Sequence, residues 1–424
     1  MTSSLRNGPG FFLVAGISLV APFASAAPDW KIVPLGGGGY VPSIVSDPTG
    51  KDVYIRTDVG GAFRWNEKAT EWESITDKIV PHETPGAGGL MGVGAITLDP
   101  RNPQRVYLAL GSYTYSKPRG VYASEDGGNT WTQIESTGVV EANGQFRGLG
   151  SRLAVDPNDS NTLWFSTIDK GLMKGTRDGA AWTWTNVPET SVPFGQTPEK
   201  KPKAGVTFVA CDPNAGKTIT YAGVYDNVGT TGGIYVTADG ANWKKVAGAE
   251  LGTPGRGKVA ADGTLYVTAG KKVAKVPRGG DLSLLTGLED KLDYGALATD
   301  PNDKTGKTVY VVQSGVGQYN KIFRTKDGGG TWVVQFRNFN NENYKRTEPD
   351  GTATLTGYWF GSVGDIMVHP TNPEEVWATD FFGVYRTRNA GALGTKEGCQ
   401  WFNLQKVQEE TVPHILKNAP VGAQ

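Results

Sequence analysis

Ser124-Glu125-Asp126-Gly127-Gly128-Asn129-Thr130-Trp131 is the stretch that decides how the chain is read. It has the chemistry of a hairpin turn. The Asp carboxylate accepts backbone N–H groups, Gly takes a positive φ, and the Trp packs against the sheet. This is the Asp-box pattern, and Thr325-Lys326-Asp327-Gly328-Gly329-Gly330-Thr331-Trp332 repeats it in full. Copies one residue shorter run from Thr176 through Asp178 to Trp182 and from Thr237 through Asp239 to Trp243.

Working outward from these boxes, a second repeat comes into register. A short apolar strand, an Asp-Pro step, a small gap and another apolar strand recur at Asp47-Pro48, Asp99-Pro100, Asp156-Pro157, Asp212-Pro213 and Asp300-Pro301. His369-Pro370 stands in for a sixth copy, and Ala261-Asp262-Gly263 for one that has lost its Pro. Asp caps the turn and Pro fixes φ near −65°, so the chain reverses between antiparallel strands. Each following strand carries an aromatic: Tyr54, Tyr107, Trp164, Tyr221, Tyr266, Tyr310 and Trp377. Those aromatics read as sheet packing. Seven such units, each with about four strands, predict an all-β chain, a seven-bladed β-propeller with Asp-box hairpins. The box residues read as structural.

Composition agrees. Gly is 59 of 424 residues, roughly twice the usual share of about 7%. With 25 Pro, 12 Trp, 16 Tyr and 15 Phe, this suits short strands and tight turns. The 42 Lys+Arg balance 42 Asp+Glu, which argues against a nucleic-acid or anionic-membrane partner. Two Cys and three His exclude a disulfide scaffold and leave no expectation of a metal site or cofactor. Whether Cys211 and Cys399 pair is left open. There is no phosphate-binding Gly loop, no Gly-x-Ser-x-Gly elbow and no Ser–His–Asp set.

Arg6, the apolar run Phe11–Val20 and Ala24-Ser25-Ala26 read as a secretory signal over residues 1–26. The run is too short to span about 30 Å of hydrocarbon. The expected mature chain, 27–424, is one propeller whose last ~15 residues form a tail or linker. It is expected to be secreted or periplasmic, with no membrane partner after cleavage.

Gly36-Gly37-Gly38-Gly39-Tyr40-Val41, followed by Arg56-Thr57-Asp58-Val59-Gly60-Gly61, resembles the opening of the glycoside hydrolase family 74 xyloglucanases. Met91-Gly92-Val93, Gly111-Ser112-Tyr113-Thr114, Gly150-Ser151-Arg152-Leu153 and Glu409-Glu410-Thr411 continue the resemblance in order. It implies an inverting hydrolase of β-1,4-glucan such as xyloglucan, with a polysaccharide partner held between two propellers. It implies that Asp58 is the general base. It places the general acid in a Gly-Asp-Ile-Gly-Gly segment opening a second propeller, past Gln424.

Inversion needs two carboxyl groups about 6.5–9.5 Å apart. Asp58 is therefore the first candidate, its alternative being a carboxylate that caps its own turn through Gly60 and Gly61. Thr379-Asp380-Phe381-Phe382-Gly383 repeats the Asp58 pattern in the last unit, which a closed ring makes a neighbour of the first. Asp380 is thus a candidate partner, or else a turn residue. Sugar rings present C–H faces to aromatic platforms. Tyr40, Tyr113, Tyr115, Tyr358 and Trp359 are the candidates in connecting segments, with Arg147 and Arg152 as candidate hydroxyl ligands. A noncatalytic carbohydrate-binding propeller and a sortilin-like protein-binding propeller are the other readings the sequence allows.

Overall fold

The computed structural model describes residues 39–77, 79, 91–113, 118–167, 169–196, 202–227, 229–314, 321–336, 346–347, 353–354, 363–380, 383–393 and 402–403. All lie in the compact unit Pro34–Gln424. Tyr115, Tyr358, Trp359, Cys399 and the 1–26 segment fall outside the described residues.

Seven antiparallel sheets follow one another along the chain, each built from consecutive strands. Blades 1 to 7 span residues 43–74, 93–135, 153–186, 195–245, 256–284, 293–336 and 365–403. Blade 4 carries one extra short strand, Gly195–Gln196, on its inner edge. A two-stranded hairpin, Arg346–Thr347 with Ala353–Thr354, lies between blades 6 and 7 in the chain.

The ring is closed. The inner strands Ser43–Ser46, Val93–Asp99, Leu153–Asp156, Pro202–Asp212, Arg256–Val259, Asp293–Thr299 and Asp365–His369 touch in cyclic order, the last meeting the first. Seven hydrophobic clusters fill the seven inter-blade layers. One joins Tyr54 and Ile75 of blade 1 to Val106 and Leu108 of blade 2. Another joins Trp65 and Trp72 of blade 1 to Trp377 and Val384 of blade 7. The second strand of each blade is covered on both faces, so it reads as a continuous apolar run rather than an alternating one. Val106, Tyr107, Leu108, Ala109 and Leu110 are all fully buried. Outer strands such as Ala181–Asn186 are largely exposed.

The turn repeat is seen atom by atom. Asp47, Asp99, Asp156, Asp212, Asp262 and Asp300 each accept the backbone N–H two residues on. His369 does the same through Nδ1, taking the N–H of Thr371 at 3.3 Å. Among the boxes, Asp126 accepts the N–H of Asn129 and Thr130, and Asp327 those of Gly330 and Thr331. Asp239 keeps the same pattern with Ala241 and Asn242. The copy at Asp178 differs. Its strands pair to the end, Asp178 opposite Ala181, leaving a two-residue hairpin and an exposed carboxylate. The Asp239 copy is equally short yet keeps its capped loop, where Asn242 Nδ2 also donates to Asp239; the Asp178 copy has Ala181 at that place.

Cys211 is a free thiol; burial pushes it up to about 12, which keeps it protonated. No helix among the described residues is long and apolar enough to cross a membrane. Nor do they gather three His, Cys, Asp or Glu as a metal site.

Strand alternation sorts the loops. Asp–Pro turns and box turns fall at one end of the ring. The turns after each second strand, and the entries into each blade, fall at the other. Asp58, Asp380, Tyr40, Tyr113 and Arg147 all belong to that second end.

Candidate active site

Thr57 caps the turn that follows the second strand of blade 1. Its Oγ1 accepts the Gly60 N–H at 2.8 Å and donates to the Gly61 carbonyl at 3.0 Å. The Asp58 carboxylate is therefore not spent on its own turn. Oδ2 meets Arg147 Nη1 at 3.4 Å. Oδ1 is buried and has no hydrogen-bond partner among the described residues. Gly39 makes the seat: a Cβ there would stand 2.3 Å from Asp58 Oδ1, and its φ of +100° suits Gly.

Burial raises the Asp58 carboxyl above the usual carboxylate range, while the Arg147 charge pulls it back down. Asp58 is 3% exposed, and the Arg147 side chain over it is 39% exposed. Arg147 also donates to Asn143 Oδ1 at 2.9 Å and lies 5.8 Å above the Tyr40 ring. Asn143 in turn donates from Nδ2 to the Tyr113 hydroxyl at 2.7 Å. One connected set thus runs from the aromatic Tyr113, which is 49% exposed, to the buried carboxylate.

Asp380 lies on the other side of the same peptide. The Tyr40 carbonyl accepts the Asp58 N–H at 3.1 Å, and the Val41 N–H donates to the Asp380 carbonyl at 3.2 Å. A planar peptide carries both bonds, so the two backbones stand within about 9 Å of one another. Asp380 itself is fully enclosed.

Relatives share this architecture. No protein-family model matches the chain. A xyloglucanase from a Paenibacillus species is 31% identical over 97% of this chain and 44% of its own length. An oligoxyloglucan-reducing end-specific xyloglucanase of Emericella nidulans is 34% identical over 62% of this chain and 34% of its own. The crystal structure of a GH74 enzyme from Niastella koreensis matches at TM-score 0.72 and 27% identity, over 87% of this chain and 55% of that one. The GH74 xyloglucanase from Xanthomonas campestris matches at TM-score 0.72 and 26% identity, over 88% and 55%. The chain is similar to the family 74 xyloglucanases. It spans about half the length of the relatives it matches.

Against that likeness to family 74, the other candidates divide. Tyr113 stands exposed beside the Asp58 set. Tyr40 is not an open platform: it is 5% exposed, capped by Arg147, and its hydroxyl donates to the Val363 carbonyl at 3.1 Å. Arg152 does not reach the surface either. It is 2% exposed and donates to the Val140 carbonyl at 2.6 Å, so it cannot meet a sugar hydroxyl there. Asn143 escaped the sequence reading, since an Asn in a Gly-containing loop carries no signal of its own.

Proposed function

We propose that this chain is the base-bearing propeller of a secreted glycoside hydrolase that cleaves xyloglucan with inversion. The observation that carries the reading is the state of Asp58. Its turn is capped by Thr57, one carboxylate oxygen is engaged by Arg147, and the other is buried with no hydrogen-bond partner among the described residues. A base that activates one water needs an oxygen left for that water's proton and a raised carboxyl affinity for it. At 3% exposure, Asp58 reaches a substrate through a water or after Arg147 swings aside. Tyr113 supplies the aromatic floor at the rim. Asp380 is enclosed, so its part here is to hold the Tyr40–Val41 peptide against Asp58, as a positioning residue. The acid belongs to a second propeller, and the segment 1–26 directs export to the polysaccharide.

Reducing-end release from xyloglucan by the full reading frame tests this. Asp58→Asn is expected to cut kcat by about 10³-fold, within the range for a general base. Binding of xyloglucan oligosaccharides, measured by calorimetry, is expected to persist. Binding without release by the unmodified protein would make it a carbohydrate-binding propeller. Neither binding nor release would remove the polysaccharide reading altogether.

A further inference from the structure

Where the second strand of each blade carries its aromatic, the inner strand places one residue directly opposite. Val45 faces Tyr54, Thr97 faces Tyr107, Ala154 faces Trp164, Ala210 faces Tyr221, Ala298 faces Tyr310 and Met367 faces Trp377. All six are uncharged. In blade 5 the same place, opposite Tyr266, holds Lys258. Register fixes the face as well as the level, because side chains alternate along a strand. Lys258 therefore stands in a ring otherwise made of Val, Thr, Ala and Met.

A cavity of about 310 Å³ opens at this level, lined by Val45, Thr97, Lys258, Ala298 and Met367 among others. Those residues come from blades 1, 2, 5, 6 and 7. Blades 2 and 5 are not neighbours in the ring, so the cavity spans the axis. Pro48, Pro100, Pro301 and Pro370 also line it. It therefore lies at the end of the Asp–Pro turns, opposite the end that holds Asp58.

Two charged residues line the cavity, Lys258 and Asp47. Asp47 is 1% exposed, and its oxygens accept the N–H groups of Thr49 and Asp52. The carboxylates of the neighbouring turns are held in the same way. Asp99 pairs with Arg105 at 2.9 Å, Asp262 accepts from Thr264, and Asp300 accepts from Asn302. Blade 7 has His369 at this turn. None of these groups reaches Lys258. Its ammonium makes no hydrogen bond or ion pair among the described residues, and the side chain is half-buried. An ammonium so placed, in a cavity walled mostly by apolar side chains, is arranged for an acceptor that comes from outside the chain.

We propose that this axial cavity binds a small monocarboxylate with an apolar body, the carboxylate on Lys258 Nζ and the body against Val45, Met367 and the prolines. One ammonium answers one negative charge. A dicarboxylate or a phosphate would set its second charge among the turn carboxylates of Asp47, Asp99 and Asp300. A neutral isostere would leave the ammonium without its counter-charge. The proposal does not rest on the reading of Asp58: a chain that fails to hydrolyse xyloglucan could still bind the acid.

The test is a ligand-observed NMR titration of the full chain with benzoate at constant ionic strength, set against benzamide and phthalate. Benzoate is expected to bind saturably at one site. Benzamide and phthalate are expected to bind at least about tenfold more weakly, the worth of one charge-assisted hydrogen bond. Lys258→Ala gives blade 5 the residue that blades 3, 4 and 6 carry at the same place, Ala154, Ala210 and Ala298, so it is expected to fold. It is expected to lose at least about tenfold in benzoate affinity. Crystals soaked in para-bromobenzoate are expected to show the bromine in the cavity and the carboxylate within hydrogen-bonding distance of Lys258 Nζ. No saturable benzoate binding overturns the proposal and leaves Lys258 a counter-charge to the turn carboxylates. Equal affinity for benzamide or phthalate, or unchanged affinity in Lys258→Ala, overturns it as well. Should Lys258→Ala fail to fold, the para-bromobenzoate experiment on the unmodified chain decides.

Discussion

At Arg147 one side chain does three things: it pairs with Asp58, holds Asn143 and covers Tyr40. Its charge opposes the rise that burial imposes on the Asp58 carboxyl. Replacing it by Met removes the opposing charge and leaves the burial. The carboxyl then rises further, so a larger fraction is protonated, and inactive as a base, at any mildly acidic pH. The acid limb of the kcat/KM profile on xyloglucan is expected to move to higher pH in Arg147→Met, with activity recovering on the alkaline side. A profile shifted to lower pH, or scaled down equally at every pH, would separate Arg147 from the state of Asp58. Tyr40 and Arg152 show why residue type alone misled at this scale. An aromatic and an arginine in a Gly-rich connection suit a sugar cleft. Yet Tyr40 faces the joint between two blades, and Arg152 faces the axis.

Turns are the elements that the sequence spelled most fully, because their chemistry is local. Asp47, Asp99 and Asp300 bond backbone two residues away, a distance any fold preserves. The Asp126 turn adds side-chain partners, accepting from Ser124 Oγ and Thr130 Oγ1. Burial pushes the Asp126 carboxyl up slightly, but bonds from Thr130, Ser124 and Asn129 outweigh it and bring the group down to about 2. A carboxyl lowered on folding stabilises above its unfolded value, near 4, and loses that contribution as pH falls through about 2. Asp126→Ala is expected to lower the melting midpoint by about 1–3 °C at neutral pH, less as the pH approaches 2, with xyloglucan hydrolysis unchanged. Differential scanning calorimetry against pH reads this; a deficit that grows in acid would contradict it. The Asp58 set was not legible in the same way. Asp58 and Arg147 are 89 residues apart and meet only because residues 147–149 are drawn across the axis by Arg56 and Arg256. Nothing in the spacing of either residue encodes that crossing.

At the scale of the ring, closure is the element of the fold that no single repeat contains. Among the described residues every blade is made of consecutive strands, so none of the described strands from one end of the chain completes the sheet at the other. The joint between blades 7 and 1 depends instead on packing and on side chains that reach across. Trp377 stacks edge-on to Trp65 and Trp72, with Arg386 over Trp377 at 4.9 Å and paired with Glu67 at 2.7 Å. Thr379 donates to the Val41 carbonyl at 2.6 Å. Asp365 does the most: fully buried, it accepts from Ser43 Oγ and from the Ile44 N–H, both at 3.3 Å, and pairs with Arg256. Asp365→Ala leaves the buried Arg256 guanidinium without its counter-charge, though still bonded to carbonyls, and takes the acceptor from two donors of blade 1. Such a loss falls in the range of about 3–5 kcal/mol for breaking a buried pair. Because the loss is confined to one joint, amide hydrogen exchange is expected to quicken first in Ser43–Ser46 and Asp365–His369. The inner strand Pro202–Asp212, on another side of the ring, is expected to hold its protection longer. Uniform acceleration across all seven blades would mean that the ring opens as one unit, with no weakest joint for Asp365 to guard.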